Sequence, residues 1–258
     1  LKKHWQHAEV TDKERDYAQR VGDLMMQNFA MNEALVHYQR ALDLTPAEQP
    51  ETLHLMLKIS ELHSLGNHQQ AKPLLDDAIA LAETLDDPRG LARAYAQLGR
   101  MAMLRDGDWQ SSELHLQQAL THARQTDDLS VLSGVLRQLG NLGIYTSNWD
   151  MAIPYLQESV RHAQALGDIY LEGMAVNSLS DAYAKRNQGD DHDLAIELSI
   201  RTRDIGRDLG HRRLVMMGIA HIGLVALHQE DYALAYEQFE EAYTITAQIH
   251  DDEQLGKV

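Results

Sequence analysis

Histidines are the first residues in this sequence whose type and spacing could do chemistry. The chain has 14 of them, and the closest pairs are His4 with His7, three residues apart, and His63 with His68, five residues apart. Two histidines on one helix face can begin a zinc site, but the sequence contains no HExxH motif and no carboxylate that completes a triad. We therefore expect surface histidines and no metal site.

Paired aspartates are the second group, because neighbouring carboxylates can act as acid catalysts or calcium ligands. They occur at Asp86–Asp87, Asp127–Asp128 and Asp251–Asp252. Each pair directly precedes a stretch that reads as the start of a helix, where a carboxylate caps free N–H groups and interacts favourably with the helix dipole. The spacing therefore predicts helix caps.

The sequence contains no other recognisable catalytic or phosphate-binding motif. No GxxxxGK[ST] or GxGxxG phosphate loop occurs, and no Ser/His/Asp grouping can be defended from spacing. The absence of cysteine excludes disulfides, cysteine-ligated metals and a thiol nucleophile. With 23 basic and 39 acidic residues the net charge is −16, which argues against direct binding to nucleic acid. We predict no enzyme, no cofactor, no membrane partner and a cytoplasmic protein.

The apolar residues repeat with helical spacing, and no alternating β-branched run predicts a strand. Short acidic or glycine-containing turns recur with steps of 41, 40, 43 and 41 residues. The residues that mark these steps are Asp87, Asp128, Asp168, His211 and Asp252. A near-constant step indicates a repeat, and two amphipathic runs in each step make the unit a helix–turn–helix pair.

Small residues lie at fixed positions within these units. Gly22, Gly140 and Gly223 fall in the middle of first helices, where glycine costs about 1 kcal/mol relative to alanine. An alanine follows twelve residues later, an aromatic residue or leucine sixteen later, and another small residue nineteen later. This pattern resembles the tetratricopeptide repeat. Three units depart from this pattern. In the second unit, Ile59 and Leu75 replace the glycine and the aromatic residue. In the third unit Ser112 stands at the first alanine position, and in the fifth Ser180 stands where glycine is usual. The third unit also carries one extra turn residue, and the fifth about three around residues 188–191.

The steps are longer than the 34 residues typical of that family. They resemble an extended subclass of about 40 residues, found in the C-terminal helical arrays of bacterial multidomain signal-transduction ATPases and transcription regulators. The segments His4–Ala8, Tyr17–Asp23 and Asn32–Tyr38 are similar to the stretch that leads into such an array.

The resemblance implies an all-α, right-handed superhelix of about six helix–turn–helix pairs. The whole chain, residues 1–258, would form a single array that begins with an N-terminal helix over residues 1–14. We predict repeats at about 15–47, 51–85, 88–126, 129–166, 169–209 and 212–250. Residues 251–258 would start a truncated further repeat, so we expect the native protein to continue beyond Val258.

The geometry of the family assigns a concave groove to the first helices. Reading its groove positions onto this sequence gives a candidate partner-binding set: Arg100, Arg137, Asn141, Tyr145, Asn177, Asp181 and Lys185. Arginine forks and asparagine amides suit a carboxylate or a peptide backbone. Alternatively, Arg100 and Arg137 pair with acidic residues of neighbouring helices and only solvate the wall.

The leading hypothesis is a non-catalytic module of a larger cytoplasmic signalling or regulatory protein that binds a protein or peptide partner. A partner's acidic tail or a small anionic ligand would also suit the groove. Two alternatives stay open at this point. One is a small-molecule sensor array that controls an attached ATPase or transcription-activator module, and the other is a scaffold for self-association.

Overall fold

The computed structural model describes the backbone of residues 2–27, 30–66 and 68–255, and the side chains of 10–26, 30–64 and 69–249. These residues form helices and connecting turns, and none of those described lies in a strand. The helices are α1 (Lys2–Gln27), α2 (Met31–Asp43), α3 (Pro50–Gly66), α4 (His68–Thr84), α5 (Pro88–Met101), α6 (Trp109–Ala123), α7 (Leu129–Tyr145), α8 (Trp149–Leu166), α9 (Ile169–Arg186), α10 (Asp191–Asp208), α11 (Arg212–His228) and α12 (Tyr232–Leu255).

Consecutive helices form six antiparallel pairs, and each helix packs on the next one along the chain. The first helices of neighbouring pairs also contact one another, from α3 to α5 and onward to α11. A single row of first helices therefore forms one wall of the array. This arrangement confirms the predicted all-α, right-handed superhelix.

Short polar side chains begin the helices as predicted. Asp87 Oδ1 accepts a hydrogen bond from the Gly90 N–H at 3.0 Å, and Asp128 Oδ1 accepts from the Ser130 and Val131 N–H groups at 2.9 and 3.2 Å. The bonds satisfy N–H groups that have no partner within the helix. The aspartates before α5 and α7 are thus helix caps.

Glycine allows the two helices of a pair to approach closely. A Cβ atom built on Gly140 would lie 2.4 Å from Leu156 Cγ, and one on Gly22 would lie 2.7 Å from the Tyr38 ring. In the fifth pair the facing residue is small, so Ser180 fits where glycine is usual. Its Oγ lies 2.6 Å from Ser199 Oγ. Residue size is therefore matched across these three crossing points.

Three expectations about element boundaries are wrong. Residues 2–14 are not a separate helix, because α1 continues without a break to Gln27 and no glycine or proline interrupts it before Gly22. Asp251–Leu255 continue α12 and do not start a new unit, since no helix-breaking residue precedes Gly256. Leu1 and residues 256–258 of those two segments lie outside the described residues. The extra residue of the third unit widens the end of its first helix into a π-helical turn, Ala102–Asp106, and does not lengthen the turn.

Candidate functional site

One cavity in the wall of first helices contains most of the predicted groove residues. It has a volume of about 210 Å³ and lies between α7, α9 and α11. We call it the Arg137 cavity. Of the seven predicted residues, the structure brings five together here: Arg137, Asn141, Tyr145, Asn177 and Asp181. The remaining lining residues are Ile144, Met174, Ser178, Met217 and His221.

The Arg137 guanidinium is the main positive group of this cavity. It is half-buried, and among the described residues it has neither an ion pair nor a hydrogen bond to a side chain. Burial is the main cause that lowers the pKa of Arg137; the nearby Tyr170 opposes this effect, and the neighbouring Arg100 adds to it. An arginine keeps its proton in proteins, so the site retains a positive charge without a counter-charge. No carboxylate of the described residues pairs with Arg137.

Two residues that line this cavity carry a buried polar atom without a hydrogen-bond partner among the described residues. These atoms are Asn177 Oδ1 and His221 Nδ1. A buried polar atom without a partner costs free energy.

Asp181 neutralises the positive groups beside it. Its Oδ2 accepts a hydrogen bond from Lys185 Nζ at 2.9 Å, and its Oδ1 lies 3.4 Å from His221 Nε2. Burial lowers the pKa of His221, and Asp181 opposes this effect. Lys185 is therefore the partner of Asp181 and is not a free groove cation. Arg137 and Arg100 are the arginines here that have no carboxylate partner in the described part of the chain.

Tyr145 and Arg100 lie at the margin of the cavity. The Tyr145 ring is 54% exposed and stacks on Trp109 of α6, with ring centroids 5.9 Å apart and planes 15° apart. Arg100 lies on α5, near enough to Arg137 to affect its pKa but outside the lining of the cavity. An exposed, rigid aromatic pair beside a cationic cavity is typical of binding surfaces.

A second, larger and more open cavity lies farther toward the start of α7. Its volume is about 580 Å³, and we call it the Gly134 cavity. It is lined by Glu61, Arg89, Arg93, Ala96, Gln97, Asp128, Ser130, Val131, Gly134, Val135, Gln138, Asp168, Tyr170 and Leu171. Most of these residues come from α5, α7 and α9, so the two cavities share α7 and α9 and lie along the same wall of first helices. We call this wall, with its two cavities, the groove.

Sequence reasoning missed three features of this groove. His221 lies one position after Ala220, which the repeat pattern assigned to the wall. Trp109 begins a second helix, a position to which the pattern gave no groove role. Gly134 and Gln138 lie on the same face of α7 as Arg137 and Asn141, at helical spacing, and that spacing could have found them.

Among the described residues, we find neither a metal-binding cluster nor a helix that could span a membrane. Within them, no group of three or more histidine, aspartate or glutamate side chains is arranged to hold a metal ion. The side chains of His4 and His7, considered above as ligands, are not among them. In the same part of the chain, no helix combines the length and apolar character needed to cross a membrane.

The sequence itself matches a known family over part of its length. Residues 52–125 match the model of the tetratricopeptide repeat, which here spans α3 to α6, two of the six helix pairs. The chain has the fold of a tetratricopeptide-repeat array. No curated protein sequence matches the chain.

Solved structures share this array fold at low sequence identity. BtubC (BKLC) from P. vanneervenii has a TM-score of 0.63 and 17% identity, and the match covers 93% of this chain and 92% of that one. A Rap protein complexed with competence and sporulation factor has a TM-score of 0.65 and 14% identity, with coverages of 93% and 76%. A third match is a signal transduction ATPase with numerous domains and a tetratricopeptide repeat sensor, from Pyrococcus horikoshii. It has a TM-score of 0.62 and 15% identity, and the match covers 93% of this chain and 40% of that one.

Proposed function

We propose that the array binds a partner protein through an extended segment that lies in the groove and directs a carboxylate at Arg137. The observation that carries the proposal is the half-buried Arg137 guanidinium without a carboxylate partner among the described residues. A buried charge without a partner is costly, and a carboxylate forms short, charge-assisted hydrogen bonds with an arginine fork. Asn141 and Asn177 add amide groups on the same cavity wall.

The fold supports a binding role. A Rap protein of this fold forms a complex with competence and sporulation factor. A preformed groove loses little entropy on binding, because its walls are already ordered by helix packing. We further propose that the array is part of a larger cytoplasmic signalling or regulatory protein, for which the Pyrococcus horikoshii ATPase with its repeat sensor is the precedent.

A small anionic effector is the second candidate ligand. The Arg137 cavity has about 210 Å³, which is below the roughly 300–1,000 Å³ of typical small-molecule pockets. Such a volume suits one acidic side chain better than a whole metabolite, and the adjoining 580 Å³ of open groove suits the rest of a peptide. The geometry thus favours a peptide segment. A thermal-shift response to metabolites, with no response to peptides, would favour the sensor role instead.

The experiment is selection from a random peptide library displayed on phage, followed by fluorescence anisotropy with the enriched peptides. We expect enriched peptides that carry an internal Asp or Glu. The double variant Arg137→Ala, Asn141→Ala should bind them at least about tenfold more weakly, because charged hydrogen bonds contribute about 1.5–3 kcal/mol. Arg161→Ala is the matched control, since Arg161 is exposed on α8 and lines neither cavity. No enrichment, or unchanged affinity in the double variant, would overturn the proposal.

A further inference from the structure

Gly134 is a helix glycine that no neighbouring helix requires. A Cβ atom built on Gly134 would meet no other side chain or neighbouring backbone within 4 Å. By contrast, Gly140 and Gly143 on the same helix are needed for packing, because a Cβ there would lie within 2.8 Å of α8 residues. Glycine destabilises the interior of a helix. Packing within the array therefore does not account for glycine at position 134, although it does at positions 140 and 143.

The surroundings of Gly134 contain a polar atom without a partner. Gln138 follows one helical turn later and lines the same cavity, and its Oε1 is buried without a hydrogen bond from the described residues. The buried Ala96 of α5 and the partly exposed Tyr170 of α9 form the facing walls. At Gly134 the backbone of α7 is therefore open to the cavity, and the Gln138 amide lies one turn away.

We propose that the main chain of the bound segment crosses α7 at Gly134 and that the Gln138 amide hydrogen-bonds one of its peptide groups. The inference rests on the proposed function and names the part of the segment that this cavity recognises. A glycine lets another backbone approach a helix more closely than any other residue does. A glutamine amide carries both a donor and an acceptor, which match the C=O and N–H of a peptide group.

The distance along α7 sets the spacing between the crossing at Gly134 and the carboxylate contact in the Arg137 cavity. Arg137 and Asn141 of the Arg137 cavity follow Gly134 by three and seven residues, which corresponds to about 4.5 and 10 Å along the helix at 1.5 Å per residue. An extended chain covers these distances in about one to three residues. The peptide group that crosses Gly134 should therefore lie about one to three residues from the acidic residue whose carboxylate reaches Arg137.

The first test uses Gly134→Ala with a peptide enriched in the phage selection. The melting temperature of the free protein should rise, since alanine favours the helix and the new methyl group has open space. The affinity for the peptide should fall about tenfold, because the methyl group blocks the close approach of the backbone. If Gly134 were needed only for packing, the substitution by alanine would lower the melting temperature instead. Gly134→Leu should weaken binding further, whereas the same leucine at the exposed Ala165 of α8 should leave it unchanged.

The second test replaces single peptide N–H groups by N-methyl groups along the same peptide. One position, about one to three residues from the acidic residue, should lose affinity for the wild-type protein but not for Gln138→Leu. The inference is wrong if Gly134→Ala and wild type bind equally, or if no N-methyl position depends on Gln138. When binding still depends on Arg137 in that case, the proposed function stands and only the crossing at Gly134 fails. Absence of any enriched peptide would instead overturn the proposed function itself.

Discussion

At the scale of single residues, the groove is unusual in combining unpaired positive charge with a molecule of net charge −16. Arg137 and Arg100 lie close together on neighbouring first helices without carboxylate partners among the described residues. In the same groove Asp181 is paired with Lys185, and Asp128 is paired with Arg89 at 3.0 Å. An incoming carboxylate at the Arg137 cavity therefore meets the two arginines, while Asp181 and Lys185 neutralise each other.

The sequence predicted Arg137, Asn141 and Asn177 because they recur at equivalent positions of first helices. It did not predict which cations are free. Whether Lys185 is available depends on Asp181, one turn earlier on the same helix, and on His221 from the next pair. Gly134 was missed for another reason: a glycine carries no functional group, so its role depends on whether a neighbouring helix or an open cavity lies next to it. Both properties depend on three-dimensional neighbours that a repeat pattern does not contain.

His221 leads to a prediction about pH. Its pKa in the folded protein is lowered from the usual 6.5, mainly by burial. As the pH falls through 6.5, the unfolded chain therefore takes up a proton before the folded protein does, and the free energy of unfolding decreases. Once the pH is below the folded pKa as well, the loss is complete.

Replacing His221 with glutamine should therefore reduce the loss of stability between about pH 7 and pH 5. The slope of the free energy of unfolding against pH should fall by up to about 1.4 kcal/mol per pH unit, measured by urea unfolding at several pH values. His228→Gln is the control, because His228 is exposed on the same helix. Equal slopes for wild type and His221→Gln would show that this histidine does not titrate as described.

At the scale of elements, the helix starts were predictable and the helix lengths were less so. Asp87, Asp128 and Asn148 cap their helices through local hydrogen bonds, which a sequence pattern can express. The continuation of α1 from residue 2 and of α12 to residue 255 was not predicted, because polar residues that cap one helix are tolerated inside another. The π-helical turn after α5 was missed because an inserted residue can be absorbed in a turn or in a helix.

Two glycines on α7 give opposite predictions. Gly140→Ala should lower the free energy of unfolding by about 1–2 kcal/mol, because its Cβ would lie 2.4 Å from Leu156 Cγ and the packing must shift. Gly134→Ala should raise it by up to about 1 kcal/mol, because alanine favours the helix. Chemical denaturation of both variants checks the pair. If the two substitutions changed stability in the same direction, the assignment of Gly134 to open space would be contradicted.

The loop between α9 and α10 is held by an ion pair between the buried Asp191 and the partly exposed Arg186. Arg186 Nη2 and Nε donate to Asp191 Oδ1 and Oδ2 at 2.5 and 2.8 Å, and the Gln188 N–H also donates to Oδ2 at 2.9 Å. The hydrogen bonds from Arg186 contribute most to lowering the pKa of Asp191, which is almost fully buried. This pair fixes the loop that contains the extra residues of the fifth unit.

Asp191→Asn should therefore destabilise the protein by about 2 kcal/mol, because the Arg186 guanidinium and the Gln188 N–H lose a charged hydrogen-bond partner. The adjacent Asp190 is exposed and makes no side-chain cap, so Asp190→Asn should change stability little. Thermal or urea unfolding of the two variants at neutral pH makes the comparison. A similar loss of stability for both substitutions would contradict the claim that this ion pair holds the loop in place.

At the scale of the whole molecule, the array brings together residues far apart in the sequence. Arg100 on α5 and His221 on α11 lie at two sides of one groove, although 121 residues separate them in the chain. The repeated packing of helix pairs allowed the superhelix to be predicted from the sequence alone. The groove depends in addition on how far each pair is rotated from the last, which shifts residues such as His221 into the cavity.

The central claim is that a carboxylate of the partner contacts Arg137 in this groove. The most direct test is a double-mutant cycle that combines Arg137→Gln with replacement of the acidic residue in a selected peptide by its amide. If the two groups are in contact, either change alone should weaken binding by about 1.5–3 kcal/mol, and the second change should add little to the first. Additive losses, with no coupling between Arg137 and the peptide carboxylate, would contradict the claim.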